Sequence, residues 1–299
     1  MQALLLYLLV KGKHVTILLY NSDLFFNTSV HLAGKFAKIK VVKFAAEIID
    51  KSQFKPSILG RVSRAAYMVN FRHLNKMSDK LIVFSHYLRD EFLKIGFDES
   101  RILVQPNLTD FEFWKPEDTS VKYTLGYSGA PYMKDGLNDL LMAVKILIQK
   151  GLYVSLLIVG DATFGRTLIP GLKTECEKLE IVDCVTFTGL VNSDEVKKYL
   201  SQCQILAITR PDTIQTRAGF PTKLGEYFAL KKPILATRFG DMEQYFKDGS
   251  DLILAECDDP KSIASKLEWM IHNQEKLTGI ALTGNITAEQ LLEFNGRMK

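Results

Sequence analysis

The chain has 299 residues, 47% of them hydrophobic and 24% charged, which excludes a disordered protein and suits two ordinary domains, each burying its own core. Its formal net charge of +4 conceals an asymmetry: residues 1–76 carry twelve Lys or Arg against Asp23, Glu47 and Asp50, a net +9, which leaves the remainder at −5. A basic face on one domain suits an anionic partner such as a membrane surface or a lipid diphosphate. No interleaving of aromatic and basic residues marks a nucleic-acid module, so nucleic acid is not an expected partner.

The apolar opening run, residues 1–10, is about half of the ~20 residues that a transmembrane helix needs, and no basic region precedes it. It reads as a buried helix. Strands are predicted at 14–20, 41–45, 80–84 and 101–105, with helices at 24–38, 57–76 and 87–95 between them. Pro, Asp and Thr break the periodicity over 107–121, the expected linker. From Lys122 onward six short apolar runs, at 124–129, 154–160, 185–189, 204–209, 232–237 and 251–255, alternate with helix candidates near 136–149, 171–180, 193–201, 222–230, 241–247 and 260–272. Continuous apolar strands separated by helices are what a parallel sheet covered on both faces requires, so this half reads as a doubly wound, Rossmann-like domain. The tail has a capping-box pattern at Thr287 and Gln290 that predicts a last helix, one that could pack back on the first domain. The resulting division is 1–117, 118–280 and a C-terminal helix within 281–299.

Open α/β sheets bind ligands at the carboxyl ends of their strands. Two loops there carry chemistry. In the first, residues 129–136, Gly129 lets a backbone approach a ligand and Lys134 can set a point charge on a phosphate. In the second, Pro221 and Thr222 stand where a helix begins, so the N–H groups of Thr222, Lys223 and Leu224 would point at an anion from the positive end of the helix dipole. Lys223 adds charge, and Glu226, one turn on, could accept hydrogen bonds from two ribose hydroxyls. Diphosphate plus ribose describes a nucleotide. The four cysteines share no metal-ligand spacing and no Asp-x-Asp motif is present, so no metal and no cofactor is expected, and a reducing, cytoplasmic compartment is. No Gly-x-Gly-x-x-Gly follows a predicted strand, which disfavours a nicotinamide dehydrogenase.

The string GFPTKLGEYFALKKPILAT (219–237) resembles the donor-site motif of the retaining group 1 glycosyltransferases of GT-B fold, particularly their capsular and exopolysaccharide branch. The Gly-x-x-Tyr-x-Lys-Asp-Gly loop at 129–136, the LLIVGD strand at 156–161 and the VTFTGLVNSDEV segment at 185–196 follow in the expected order. The resemblance implies two Rossmann-like doubly wound domains and transfer of a sugar, with retention, from a nucleoside diphosphate sugar to a glycan or lipid-linked acceptor, at the inner face of a bacterial plasma membrane. It implies that Lys134 contacts the donor diphosphate, that Glu226 holds the ribose, that these two carry the catalysis, and that the helix start at Thr222 to Leu224 meets the phosphates. Two positions depart from the family: Ala218 stands where a sugar-contacting Glu is common, and Ala130 where an Arg is common. Arg210 and Arg217, in the same loop as Ala218, are candidates to supply the missing charge. In the first domain Glu47, Arg72, Ser85 and His86 are the acceptor-side candidates. By the same comparison the first domain is incomplete, lacking its first strands and the glycine-rich loop after them, so a protein partner that completes it is expected. The alternatives are a nucleotide-binding subunit without transfer activity and a nucleotide-sugar epimerase.

Overall fold

The structure, a computed structural model, describes residues 15–20, 23–46, 48–49, 54–162 and 167–294. The apolar opening run and Glu47 lie outside the described residues. The chain divides into two compact units, Met1–Pro106 with Arg217–Phe220, and Asn107–Thr216 with Pro221–Lys299.

In the first unit β1 (Thr16–Tyr20), α1 (Leu24–Ala37), β2 (Lys40–Ala45), α2 (Ile58–Arg72), β3 (Lys80–Val83), α3 (His86–Lys94) and β4 (Ile102–Val104) alternate, and the strands pair in parallel in the order β1-β2-β3-β4. Each helix opens on a residue whose side chain accepts an otherwise orphan N–H: Asp23 from Phe26, Ser57 from Gly60 and Ser85 from Leu88. The helix expected over 57–76 ends at Arg72, and a 3₁₀ turn, Leu74–Met77, carries the chain to β3. Leu81, Val83, Leu88 and Phe92 form the core together with Ala45 and Ala218. The covering is thinner at β1, where Leu18 and Tyr20 are 66% and 61% exposed.

The second unit holds β5 (Tyr123–Ser128), α4 (Leu137–Gln149), β6 (Leu156–Val159), α5 (Ile169–Lys178), β7 (Val185–Phe187), α6 (Ser193–Ser201), β8 (Cys203–Ile208), α7 (Ile214–Ala218), α8 (Thr222–Ala229), β9 (Ile234–Thr237), α9 (Met242–Tyr245), β10 (Ile253–Ala255), α10 (Pro260–His272) and α11 (Gln274–Leu292). The helix α7 ends across the division between the units. The six strands are parallel in the order β10-β9-β8-β5-β6-β7. Every residue of β6 and β9 is buried, as strands covered on both faces require. The chain winds outward from β5 to β7 and then returns to β8 on the other side of β5, so the strand order reverses between β5 and β8. The two parallel sheets with covering helices bear out the α/β fold read from the sequence.

Two boundaries differ from expectation. The C-terminal helix starts at Gln274, not near Thr287. The side chains that look like cap residues are recruited by tertiary partners: Asn285 Nδ2 donates to Phe228 O at 2.9 Å and Thr287 Oγ1 to Asp251 Oδ1 at 3.0 Å, while Leu277, Ala281, Ala288 and Leu292 bury one stripe. Residues 107–121 lack regular structure but are tied to the second unit. Thr109 N donates to Leu292 O at 2.8 Å, and Phe294 N to Thr109 O at 3.1 Å.

All four cysteines lie in the second unit as free thiols, Cys176 and Cys203 buried, Cys184 and Cys257 half-buried. Desolvation pushes Cys176 and Cys257 up to about 11 and Cys203 up to about 12, and raises Cys184 too. Among the described residues no helix is long and apolar enough to cross a membrane.

Helix α11 packs on α8 through Gly284, where an added Cβ would lie 2.1 Å from Asp251 O and 2.6 Å from Phe228 Cε1. Gly284→Ala therefore lowers the stability of the second unit by about 1–3 kcal/mol, the cost of overpacking. A urea titration followed by circular dichroism measures the loss.

Candidate functional site

The reversal between β5 and β8 leaves a crevice outside their carboxyl ends, the place where open α/β sheets hold ligands. Two loops meet there. After β5 the chain turns at Gly129, whose φ of +114° suits glycine and whose N–H donates to Val159 O at 2.9 Å. A Cβ on Gly129 would sit 3.3 Å from Lys223 Nζ, so this backbone lies directly over a buried ammonium. The loop closes on a 3₁₀ turn, Met133–Asp135, and on Gly136 at φ +64°, where a Cβ would fall 1.8 Å from Thr209 O.

Under the loop is a cluster of charges. Lys223, in the first turn of α8, is 8% exposed; its Nζ donates to Tyr127 OH at 2.8 Å and to Asp135 Oδ1 at 3.1 Å, and lies 4.0 Å from the Tyr127 ring centroid. Arg210, just after β8, places Nε 3.6 Å from the same Asp135 oxygen, beyond hydrogen-bond reach, and that buried Nε has no hydrogen-bond partner. The other Asp135 oxygen accepts from Tyr132 N at 3.1 Å. One carboxylate thus fastens the loop with one oxygen and faces two cations with the other. Desolvation works to raise Asp135, but Lys223 and Arg210 outweigh it and hold it below the usual carboxylate range. Desolvation draws Lys223 down to about 8 against the pull of Asp135, so the pair is ionised at neutral pH. Two cations against one buried carboxylate leave a surplus of positive charge under the loop.

Helix α8 begins at Thr222, which is exposed, and no side chain caps it. The Leu224 N–H, expected to face a ligand, instead donates to Pro221 O at 3.2 Å within a tight first turn, and Leu224 is fully buried. The open end therefore rests on Thr222 and Lys223. Glu226 lies one turn later, half-buried, and its carboxylate has no hydrogen-bond partner among the described residues. Desolvation pushes it up to about 7, with Lys223 opposing. Lys134 is half-buried in the same loop as Asp135.

The remaining candidates sit elsewhere. Ala218 is fully buried in the core of the first unit, where a Glu side chain would be stripped of water without a partner. Arg217 is exposed on the segment that belongs to that unit, apart in the chain's division from Arg210. The Ser85 hydroxyl caps α3 and donates to Ala218 O at 2.8 Å, so its hydrogen-bonding capacity goes to the fold. His86 opens α3, and Arg72 is exposed in the last turn of α2. Tyr127, Asp135 and Tyr227, whose OH accepts Ser128 N at 2.7 Å, were not singled out from the sequence. The one signal for Asp135 was its place between Lys134 and Gly136. No group of three or more potential metal ligands occurs among the described residues.

The sequence profile of the family described as glycosyl transferases group 1 matches residues 122–273. An uncharacterized glycosyltransferase of Methanocaldococcus jannaschii is 26% identical over 210 residues, 69% of this chain and 53% of that protein. The amylovoran biosynthesis glycosyltransferase AmsK of Erwinia amylovora is 26% identical over 165 residues, 54% of this chain and 39% of that protein. The chain spans about half the length, or less, of these curated relatives. Among solved structures, Anabaena HepE in complex with UDP matches with a TM-score of 0.79 at 17% identity, over 97% of this chain and 78% of that one, a likeness of fold.

Two expectations follow from the charges. Asp135→Ala leaves Lys223 and Arg210 buried without their carboxylate, and it should lower stability by about 3–5 kcal/mol in a urea titration. Glu226 binds its proton in the folded chain up to about pH 7, whereas the unfolded chain releases it near 4.5. Stability from this group therefore falls as pH rises through that window. Glu226→Gln should flatten this part of the dependence, read as the change in denaturation midpoint between pH 5 and pH 8.

Proposed function

Because this chain belongs to the glycosyl transferases group 1 family and has the α/β fold of GT-B enzymes, we propose that it transfers a sugar, with retention, from a nucleoside diphosphate sugar to a glycan or lipid-linked acceptor in bacterial surface polysaccharide synthesis. One observation carries the reading: an uncapped helix start and a surplus of buried positive charge converge at the switch point of the second sheet, with a carboxylate one turn along the same helix that has no hydrogen-bond partner among the described residues. An anion there is met by backbone N–H groups, and the hydroxyls of a pentose would supply the two donors that the Glu226 carboxylate lacks. The donor class is supported by a fold neighbour, since HepE was solved with UDP and with UDP-glucose. The name of AmsK supports an exopolysaccharide product.

In this reading the departing diphosphate gains negative charge as the glycosidic bond breaks. Lys134 and the α8 start stabilise it from fixed positions, and Lys223 acts from beneath Gly129. Glu226 orients the ribose and so the anomeric carbon. No cofactor or metal enters the scheme. The acceptor would be served by the first unit, whose Glu47, Arg72 and His86 are the groups to test. The reading places the protein in the cytoplasm, at the membrane face, with the basic residues of 1–76 turned to anionic lipid.

Lys134→Ala and Glu226→Ala should each lower donor turnover at least tenfold, equivalent to ~1.4 kcal/mol of transition-state stabilisation. The assay follows release of nucleoside diphosphate from UDP-sugars and GDP-sugars, with the anomeric configuration of the product read by NMR. Full turnover in both variants removes the assignment. Diphosphate binding by calorimetry with no transfer to any acceptor would make the chain a nucleotide-binding subunit instead.

A further inference from the structure

The first unit contains a cavity of about 490 Å³ lined by the start of α1, one face of β2 and one side of α2. Its walls are apolar and aromatic, with Leu24, Phe25, Phe54, Tyr67, Phe71 and Phe92 among them. Phe25, 79% exposed, stands at the rim. Against these walls lies Lys43, on the inward face of β2 and 5% exposed.

A strand position between Val41 and Ala45, both buried core residues, calls for an apolar side chain, and Lys43 breaks that pattern. Its ammonium has three donors and finds one acceptor, Asn70 Oδ1, at 3.5 Å. That oxygen already accepts the Asn27 amide. No carboxylate pairs with Lys43 among the described residues. A second buried group at the cavity is unmatched: the Asn75 side-chain oxygen has no hydrogen-bond partner, and Asn75 is 4% exposed. Burial of an unpaired ammonium is costly unless something balances it. Desolvation draws Lys43 down to about 8, which still leaves it charged at neutral pH.

The lining also includes Asp23, whose carboxylate caps α1 by accepting from Phe26 N; among the described residues, an apolar channel that ends on the buried Lys43 ammonium fits an amphiphile with an anionic head. We propose that this cavity binds a long-chain phosphate monoester, with its phosphate on Lys43 and its hydrocarbon chain along the aromatic walls. An unpaired Asn75 oxygen can accept from a phosphate hydroxyl, and the chain leaves past Phe25 toward solvent or a lipid surface. The site lies wholly in the first unit and does not depend on the donor assignment.

The test is calorimetric titration of the full chain with decyl phosphate below its micelle concentration, with inorganic phosphate and decanol as separate arms. Decyl phosphate should bind at least tenfold more tightly than either. Lys43→Met, close in shape and free of the charge, should weaken decyl phosphate at least tenfold and leave decanol unchanged, with a melting temperature no lower than wild type. Ala66→Leu, which narrows the wall and keeps the ammonium, should also weaken decyl phosphate, so the outcome does not hang on one variant. Failure of the wild-type chain to bind decyl phosphate overturns the proposal, as does equal binding by Lys43→Met. Inorganic phosphate binding as tightly as decyl phosphate overturns it in favour of a free-anion site.

Discussion

The second unit depends on one buried carboxylate. Asp135 holds the loop after β5 through the Tyr132 amide and, with its other oxygen, keeps Lys223 and Arg210 in a place where neither could remain alone. The sequence distance is large: Lys223 comes from α8, the second helix after β8, and Asp135 from the turn after β5. Strand order makes them neighbours, because β5 and β8 are adjacent at the centre of the sheet. The fold thus brings an ion pair to the crevice where a ligand would lie, and the ion pair in turn fixes the loop that forms one wall of that crevice. Buried charges of this kind are weak as stability devices. What they do set is positive charge at a position that water screens poorly.

Glycine completes that arrangement by absence. With no side chain at Gly129, the Lys223 ammonium is separated from the loop's outer surface by one layer of main chain. The cation need not be exposed to act on an anion resting on the loop, and burial protects it from competing counterions. A preorganised site of this type spends no reorganisation when charge appears.

Much of the fold was legible because buried parallel strands write themselves as continuous apolar runs. All ten predicted strands recur, from Thr16–Tyr20 to Ile253–Ala255, and the helices predicted at 24–38, 57–76 and 193–201 recur, each opening on a capping side chain, Asp23, Ser57 or Asn192. What the sequence hid was the use of polar side chains at long range. Thr287 looked like a cap and is a tertiary partner of Asp251; Leu224 looked like a free donor and is consumed by its own turn. Ala218 looked like a lost sugar contact, yet its position lies in the core of the other unit, where local pattern gives no warning. The Lys223–Asp135–Arg210 cluster was half legible: each cation was visible as a charge near a strand end, but the carboxylate that organises them sits in a turn whose composition is ordinary.

The distribution of sulfur has a practical consequence. The thiols are confined to one unit, and desolvation raises all four, with Cys176, Cys203 and Cys257 pushed to about 11 to 12, which disfavours the nucleophilic thiolate near neutrality. A cysteine introduced on an exposed position of the other unit, such as the outer face of α2, would react with a maleimide dye far ahead of the native four. A dye or spin label can then be placed on the first unit without prior removal of the native sulfhydryls.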